Sequence, residues 1–267
     1  MNSLNKIFII TFILSISFAS DLSSKNRKLV LSHNDEWIGM GAAYGPFRDG
    51  QAPWEGAPSV EELREDLHII SKNWKWIRLY GSRGISSDIL NIIRNDSLGI
   101  KVMLGAWIAK EDGTIEASND NKDEISNTIK LANEYPDVVN SINIGNETMV
   151  YWSDHKVDID IMANYLNYTR KRVRVPVTTA DDLGFWNKEE SKKINADALV
   201  TGHYAIRKGG LKESKLFKAK DKTKDQSYFL FATLQDQLDY VRFPLGNFLK
   251  SEIRQMAEDY NLVVSDK

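Results

Sequence analysis

Short apolar segments alternate with helical patterns through residues 37–190, and this alternation constrains the fold more than any other feature. The helical patterns have apolar residues three or four positions apart, and no glycine-rich phosphate loop follows the first apolar segment. We therefore predict an α/β fold, namely an incomplete (β/α)8 TIM-type barrel rather than a Rossmann sheet, with five of the eight strand-helix units present. The predicted strands are 38–47, 76–81, 101–107, 138–144 and 175–182.

The fourth predicted strand ends at Gly145-Asn146-Glu147, which places a carboxylate directly after a buried strand. Catalytic groups of (β/α)8 barrels lie at this end of the strands. A glutamate beside an amide and enclosed by aromatic side chains such as Trp152 has the features of a general acid with a raised pKa. The alternative is that Glu147 caps the helix that follows.

Every predicted strand in residues 37–190 ends in polar or aromatic side chains. Sugars have apolar faces that stack on aromatic rings and hydroxyls that form hydrogen bonds, so this combination is typical of a sugar-binding site. For Trp76 and Trp107 taken singly, packing in the core is the better interpretation. The candidate substrate-binding residues are Tyr44, Arg78, Tyr80, Trp107, Asn146, Thr179 and Asp181.

Five motifs in residues 37–190 resemble, in the same order, glycoside hydrolases of family 17, and most closely the bacterial branch acting on β-1,3-glucans. The resemblance implies a retaining mechanism, with Glu147 as acid/base, Asn146 as its partner and a second carboxylate about 5–5.5 Å away as nucleophile. No acidic residue after Asp182 stands in a matching context, so the resemblance predicts a truncated enzyme that lacks its nucleophile. The motifs are Gly41-Ala42-Ala43-Tyr44-Gly45-Pro46-Phe47, Trp76-Ile77-Arg78-Leu79-Tyr80-Gly81, Lys101-Val102-Met103-Leu104-Gly105-Ala106-Trp107, Gly145-Asn146-Glu147 and Val177-Thr178-Thr179-Ala180-Asp181.

Residues 191–267 follow a different pattern, in which a basic loop is the main feature. Residues 195–205 before the loop predict a short strand that ends in a glycine-histidine turn at Gly202-His203. We expect residues 195–199 to pair with the open edge of the incomplete barrel as a surrogate sixth strand. A local excess of lysine can follow a phosphate backbone, although a solvated loop is the more common explanation. The lysines are Lys208, Lys212, Lys215, Lys218, Lys220, Lys222 and Lys224.

Three motifs of this second segment resemble the tRNA-specific 2-thiouridylase family, over about residues 195–267. The family implies ATP-dependent thiolation of tRNA, which requires a Ser-Gly-Gly-Val-Asp-Ser-type phosphate loop and two cysteines. The 267 residues contain neither that loop nor any cysteine, so the resemblance predicts a fragment that cannot perform thiolation. The motifs are Gly202-His203-Tyr204-Ala205, Lys224-Asp225-Gln226-Ser227-Tyr228-Phe229-Leu230 and Phe243-Pro244-Leu245-Gly246.

Residues 1–19 have the pattern of a secretory signal peptide. Lys6 precedes an apolar run at 7–18, and small residues precede the expected cleavage site. The run is shorter than the roughly 20 residues that span a bilayer, so we expect no stable membrane span; an uncleaved N-terminal anchor is the alternative. The pattern predicts a secreted or periplasmic protein.

The predicted organisation has four parts. The signal peptide at 1–19 is followed by a polar leader at 20–36, a partial glycoside-hydrolase barrel at 37–190 and a thiouridylase-like fragment at 191–267. Nucleic acid is not expected as a partner, because the net charge is only −2 and export would remove the protein from tRNA. No cofactor or metal is expected either, since the four histidines form no ligand pattern.

Four functional hypotheses remain. The first is an exported glycoside hydrolase or transglycosylase-like protein, whose partner is a β-1,3-glucan oligosaccharide or polysaccharide. The second is a catalytically inactive remnant that binds glucan through the same residues. The third is a tRNA 2-thiouridylase-like fragment. The fourth is an inactive chimeric open reading frame, joined between Trp186 and Ala196.

Overall fold

The computed structural model describes residues 32–33, 36–37, 41–53, 55–111, 113–186, 188–210 and 212–259. The predicted signal peptide and most of the predicted leader lie outside these residues. The chain divides into two compact units, an N-terminal unit that ends at Asn195 and a C-terminal unit that begins at Ala196. None of the helices in the described part of the chain combines the length and hydropathy needed to cross a bilayer.

The N-terminal unit contains a parallel sheet whose strands follow their order in the sequence. A short antiparallel pair, β1 (Ser32–His33) and β2 (Glu36–Trp37), precedes it. The sheet strands are β3 (Gly41–Ala43), β4 (Trp76–Arg78), β5 (Lys101–Ala106), β6 (Val139–Asn146) and β7 (Val177–Ala180). The helices are α1 (Val60–Asn73), α2 (Ser86–Asn95), α3 (Ile115–Glu134), α4 (Ile159–Arg170) and α5 (Leu183–Trp186), and a 3-10 helix follows at Glu189–Ile194.

Strand-helix alternation with parallel pairing confirms the predicted α/β class and the parallel sheet. The central strands carry the core, because alternate apolar residues of both β5 and β6 are fully buried. Parallel strands of this kind are covered on their faces by helices and read as nearly continuous apolar runs, which is why the sequence identified them. Among the described strands, β3 and β7 each pair on one side only, so the sheet is open.

Side chains cap the helices α1 and α3 at their starts. The sequence places Ser59 and Glu62 at the spacing of a capping box, and this prediction is confirmed, since Ser59 accepts a hydrogen bond from the Glu62 backbone and the Glu62 side chain accepts one from the Ser59 backbone. The apolar pattern predicts a helix from Asp123, whereas α3 begins eight residues earlier, at Ile115, where the Thr114 hydroxyl caps it. Its first buried residues, Asn121 and Glu124, are polar and therefore do not contribute to an apolar repeat.

The C-terminal unit consists of short elements around a small core. Strand β8 (Leu199–Val200) runs parallel to β11 (Val241–Arg242), whereas β9 (Ala205–Lys208) and β10 (Lys215–Lys218) form an antiparallel hairpin. The helices are α6 (Gln235–Tyr240) and α7 (Lys250–Asp259), with 3-10 helices at Ser227–Leu230 and Pro244–Asn247. Ala205, Leu238 and Phe243 form the core, and Leu216, Leu230 and Val241 pack against it.

Of two predictions for the second segment, one is confirmed and one was wrong. The predicted short strand before Gly202-His203 is present as β8, which ends at Val200, and β9 begins after it at Ala205. The surrogate sixth strand is not formed by 195–199, since the strand present there pairs with β11 of its own unit.

Candidate functional site

All five strands of the parallel sheet end at the same edge, which we call the carboxyl edge, and most of the predicted site residues lie on or just after these ends. The strands β3, β4, β5, β6 and β7 end there, at Ala43, Arg78, Ala106, Asn146 and Ala180. In parallel α/β folds, loops at this edge carry the functional groups. Its geometry therefore decides what the N-terminal unit can bind.

A connected set of polar and aromatic side chains joins three of these strand ends. The Arg78 Nη2 donates a hydrogen bond to the Asn146 Oδ1 at 2.8 Å, and the Arg78 guanidinium carbon lies 4.8 Å from the centre of the Tyr80 ring. The His155 Nε2 lies 2.9 Å from the Asn146 carbonyl oxygen, and since a carbonyl only accepts, this nitrogen carries the proton. The His155 ring lies 4.7 Å from the Trp107 ring.

Glu147 follows β6 directly and has an unusual backbone conformation. Its φ is +53°, in the left-handed region, and its N–H donates to the Ala180 carbonyl of β7 at 2.8 Å. Such a conformation in a non-glycine residue costs of order 1–3 kcal/mol and is concentrated at functional sites. The preceding Gly145 has a φ of +71°, and a Cβ there would lie 2.6 Å from the Thr148 hydroxyl. The turn that presents Glu147 therefore requires a glycine.

Asp181 is a second carboxyl group at this edge. Burial raises the pKa of Asp181 to about 6, and the neighbouring charges of Asp182 and Glu147 act in the same direction. Hydrogen bonds from the backbone N–H of Met149 and of Asp182 act in the opposite direction, to lower it. Because both carboxylate oxygens already accept backbone hydrogen bonds, Asp181 fixes the loop after β6.

The remaining predicted residues have different surroundings. Tyr44 is buried, and its hydroxyl donates to the Asp66 Oδ2 at 3.0 Å. Burial, with Asp66 beside the hydroxyl, raises the pKa of Tyr44. Thr179 is also buried, and neither its Oγ1 nor the Arg78 Nε has a hydrogen-bond partner among the described residues. Tyr80 and Trp107, in contrast, are more than a third exposed.

Sequence reasoning missed two residues that organise this edge. Glu124 of α3 is buried, and its carboxylate accepts hydrogen bonds from the backbone of Ser82 and Trp107 and from the Arg83 Nε. His155, already described, was treated as one of four scattered histidines. The hydrogen bonds of Glu124 and the ring contact of His155 with Trp107 join residues more than 15 positions apart, so no local motif identifies these two residues. Within the described ranges, no three acidic or histidine side chains lie close enough to hold a metal ion.

Four lysines of the C-terminal unit, at 208, 212, 215 and 218, lie on a hairpin, β9–β10, which we call the basic hairpin. Eight basic and two acidic residues lie between Ala205 and Lys224. Buried Asp239 holds the turn, because it accepts hydrogen bonds from the Lys212 backbone and from the Gln235 side chain. A hydrogen bond with Ser214, together with these two, lowers the pKa of Asp239 to about 2. The turn is thus fixed by a carboxylate that remains ionised.

Like charges face one another across the basic hairpin. Lys208 and Lys215 are directly opposite in the antiparallel register, and both are exposed. Directly opposed like charges destabilise a strand pair, so an anion bound between them would be favourable. Of the seven lysines of the predicted basic loop, Lys220 has an ion pair with a described residue, with Glu252 at 2.7 Å.

Comparison with known proteins gives a clear result for the second half of the chain. The model of the family described as tRNA methyl transferase HUP domain matches residues 118–267. The tRNA-specific 2-thiouridylase of Wolbachia pipientis wMel is 54% identical over 77 residues, which are 29% of this chain and 21% of that protein. The enzyme of the same name from Ehrlichia canis is 39% identical over 111 residues, or 40% of this chain and 30% of that protein. The chain therefore spans about a fifth to a third of these relatives.

The solved structures that are similar to this chain include proteins of a different class. The endo-laminarinase from Formosa Hel1_33_131 has a TM-score of 0.52 and 27% identity, over 61% of this chain and 49% of that one. A glycoside hydrolase family 17 β-1,3-glucanosyltransferase from Rhizomucor miehei has a TM-score of 0.42 and 23% identity, over 60% of this chain and 55% of that one. Both resemblances predicted from the sequence are confirmed: the family match and the relatives support the 2-thiouridylase part, and the likeness to the endo-laminarinase supports the glycoside hydrolase part. The relatives named as tRNA-specific do not support the expectation that nucleic acid is an unlikely partner.

Proposed function

We propose a tRNA-binding role for the C-terminal unit, and the premise is that this chain belongs to the tRNA methyl transferase HUP domain family. The curated relatives that match are named as tRNA-specific enzymes, which supports tRNA as the partner. The proposed role is binding without thiolation, because the 267 residues contain no cysteine that could carry sulfur.

The basic hairpin is the observation that carries this proposal. Its exposed lysines include a directly opposed pair, and the turn that joins the strands is held by Asp239. Exposed cations on a fixed hairpin suit phosphate oxygens spaced along a nucleic acid backbone. Binding of a phosphate between Lys208 and Lys215 would also relieve the repulsion between them.

Salt dependence of tRNA binding tests the proposal. We expect the full chain to bind tRNA with an association constant that falls as salt rises, by about 0.7–0.9 logarithmic units per phosphate neutralised and per tenfold change in salt. The double variant Lys215→Ala/Lys218→Ala should weaken binding and reduce the magnitude of the slope by about 1 to 2. Fluorescence anisotropy with labelled tRNA at several salt concentrations measures both quantities.

The matched control is Lys192→Ala/Lys193→Ala in the N-terminal unit, which removes the same charge. The ammonium groups of Lys192 and Lys193 already pair with Glu189 and Asp160, so we expect the slope to remain that of the wild type. Equal effects of the two double variants would indicate a response to net charge alone. Tight binding without salt dependence would also contradict the proposal.

A second candidate function is carbohydrate binding at the carboxyl edge of the N-terminal unit. The specific observation is that the buried Arg78 Nε and Thr179 Oγ1 have no hydrogen-bond partner in the described part of the chain, while the Tyr80 and Trp107 rings are exposed. Sugar hydroxyls would satisfy the polar atoms, and sugar faces would stack on the rings. The likeness to an endo-laminarinase supports this candidate. We propose that the sheet is part of a TIM-type barrel and that Glu147 is its general acid.

Titration with β-1,3-glucan oligosaccharides tests the second candidate. Trp107→Ala should weaken binding about threefold to tenfold, because an aromatic stacking contact contributes roughly 0.5–1.5 kcal/mol. Tyr151→Ala, which removes another exposed ring, should leave the affinity unchanged. Any product released by the wild type should disappear in Glu147→Gln, whereas sugar binding should persist. Turnover retained by Glu147→Gln would exclude Glu147 as the acid, and binding without product would indicate an inactive remnant.

A further inference from the structure

Three aromatic side chains of the C-terminal unit are exposed next to one another in sequence. Tyr228 is 63% exposed, Phe229 is 62% exposed and Phe231 is 88% exposed. The Tyr228 and Phe229 rings are stacked, with their centres 4.3 Å apart and their planes 29° apart. Large aromatic rings so exposed and so grouped indicate a binding surface, because single exposed apolar residues are common but clusters are not. We call these three residues the aromatic cluster.

The local structure forces the aromatic cluster outward. Leu230, in the same turn, packs against the core of the unit. Asp225 anchors the start of the turn, since its Oδ1 accepts the Ala219 N–H at 2.8 Å and its Oδ2 accepts the Ser227 hydroxyl at 2.8 Å. Because the turn is fixed at both ends, the rings beside Leu230 are held in solvent. A ligand that stacks on them therefore binds with a smaller entropic cost of ordering the loop.

The aromatic cluster lies beside the basic hairpin. The 3-10 helix Ser227–Leu230 contacts β10, one of the two strands of that hairpin. Another exposed ring, Phe217 of β10, has the Lys208 ammonium 5.4 Å from its centre. Exposed aromatic rings and lysines are thus both present at strand β10 and the 3-10 helix that contacts it. Single-stranded nucleic acid matches this combination, because its bases can stack on the rings and its phosphates can pair with the lysines. An apolar protein partner would leave the lysines without a complementary charge.

We propose that the aromatic cluster stacks unpaired RNA bases while the lysines of the basic hairpin bind the adjoining phosphates. This inference rests on the proposed tRNA-binding role and specifies the part of the RNA that is bound. Bases in a duplex are stacked on one another and cannot reach the rings, whereas bases of loops and single strands can. The surface should therefore prefer unpaired RNA to duplex RNA of equal length.

Binding of two RNA probes by the full chain tests the inference. One probe is an unstructured RNA of about 12 nucleotides and the other is a duplex of the same length. We expect Tyr228→Ala/Phe229→Ala to weaken binding of the unstructured probe about tenfold to a hundredfold. Its effect on the duplex and on the salt slope should be less than about twofold, because the lysines remain. Tyr228→Phe should bind as the wild type does, since the ring face is retained.

The control is Tyr151→Ala/Trp152→Ala, which removes two exposed rings of the N-terminal unit and should not change RNA binding. Unchanged affinity of Tyr228→Ala/Phe229→Ala for the unstructured probe would overturn the inference, while salt-dependent tRNA binding by the wild type would still support the proposed function. Failure of the wild type to bind tRNA would instead overturn both. Light scattering adds a further outcome: if the double variant abolishes self-association and leaves RNA binding intact, the aromatic cluster is a contact between copies and the inference is wrong.

Discussion

Replacing Gly246 by alanine should unfold the C-terminal unit and leave the N-terminal unit folded. A Cβ at position 246 would lie 1.7 Å from the Ala205 carbonyl oxygen and 2.5 Å from its carbonyl carbon. Contacts below 3.0 Å are not tolerated, and the atoms met here belong to the backbone of β9, which cannot move aside as a flexible side chain can. The strand and the 3-10 helix Pro244–Asn247 must therefore separate.

The separation would open the core of the unit. Ala205 is fully buried in contact with Leu238 and Phe243, and the Gly246 carbonyl also accepts the Lys220 N–H at 2.9 Å. Overpacking a core typically costs about 1–3 kcal/mol and more where backbone must shift. A unit of about 70 residues has roughly 3–5 kcal/mol of stability from a single small core. The substitution should remove most or all of it.

Two probes separate the units in this experiment. All seven tryptophans lie at or before Trp186, so tryptophan fluorescence during urea unfolding follows the N-terminal unit and should not change. Limited proteolysis should cleave the variant rapidly after Ala196 while the wild type resists. The matched control is Gly210→Ala in the same unit, because a Cβ there meets nothing within 4 Å. Equal proteolytic resistance of Gly246→Ala and Gly210→Ala would contradict the packing described.

The strands of the sheet could be predicted from the sequence because strands buried on both faces form nearly continuous apolar runs of neighbouring residues. Buried parallel strands such as β5 and β6 are read directly from runs of apolar residues. The Ser59 capping box is likewise a short-range motif. The partner of strand β8 was predicted wrongly because the two residues of β8 carry too little pattern to specify one, and its partner β11 lies about forty residues away in sequence. Pairing over that distance depends on the small core that Leu238 and Phe243 complete.

The candidate site was predicted in its individual residues but not in its connections. Arg78, Asn146 and Trp107 were identified because each ends a strand, whereas the hydrogen bond of His155 to Asn146 has no local signature. The units meet at Asn195, within the junction 186–196 that the sequence suggested for a chimeric reading frame. That interpretation stays a prediction, which sequencing the gene and transcript across these codons would test.

Replacing Glu124 by alanine should lower the free energy of unfolding of the N-terminal unit by about 3–5 kcal/mol. The Glu124 side chain is 3% exposed, and its Oε1 accepts the Ser82 N–H at 2.6 Å and the Trp107 N–H at 3.1 Å. Removing an acceptor from a buried donor costs about 1–3 kcal/mol for each donor, and more where the lost group is charged. Two strand-end loops would lose their common anchor.

Asp120→Ala is the control, because Asp120 and Glu124 share an ion-pair partner, Arg83. The Arg83 side chain donates to the Glu124 Oε2 at 2.8 Å and to Asp120 at 2.7 Å, but the Asp120 side chain is 52% exposed. An exposed ion pair contributes about 0–1 kcal/mol, so Asp120→Ala should change the unfolding free energy by less than about 1 kcal/mol. Urea unfolding followed by tryptophan fluorescence compares the two variants directly. If the urea midpoints of the two variants fall equally, Glu124 stabilises the unit only as an ion-pair partner of Arg83. The proposal that Glu124 anchors the Ser82 and Trp107 loops would then be wrong.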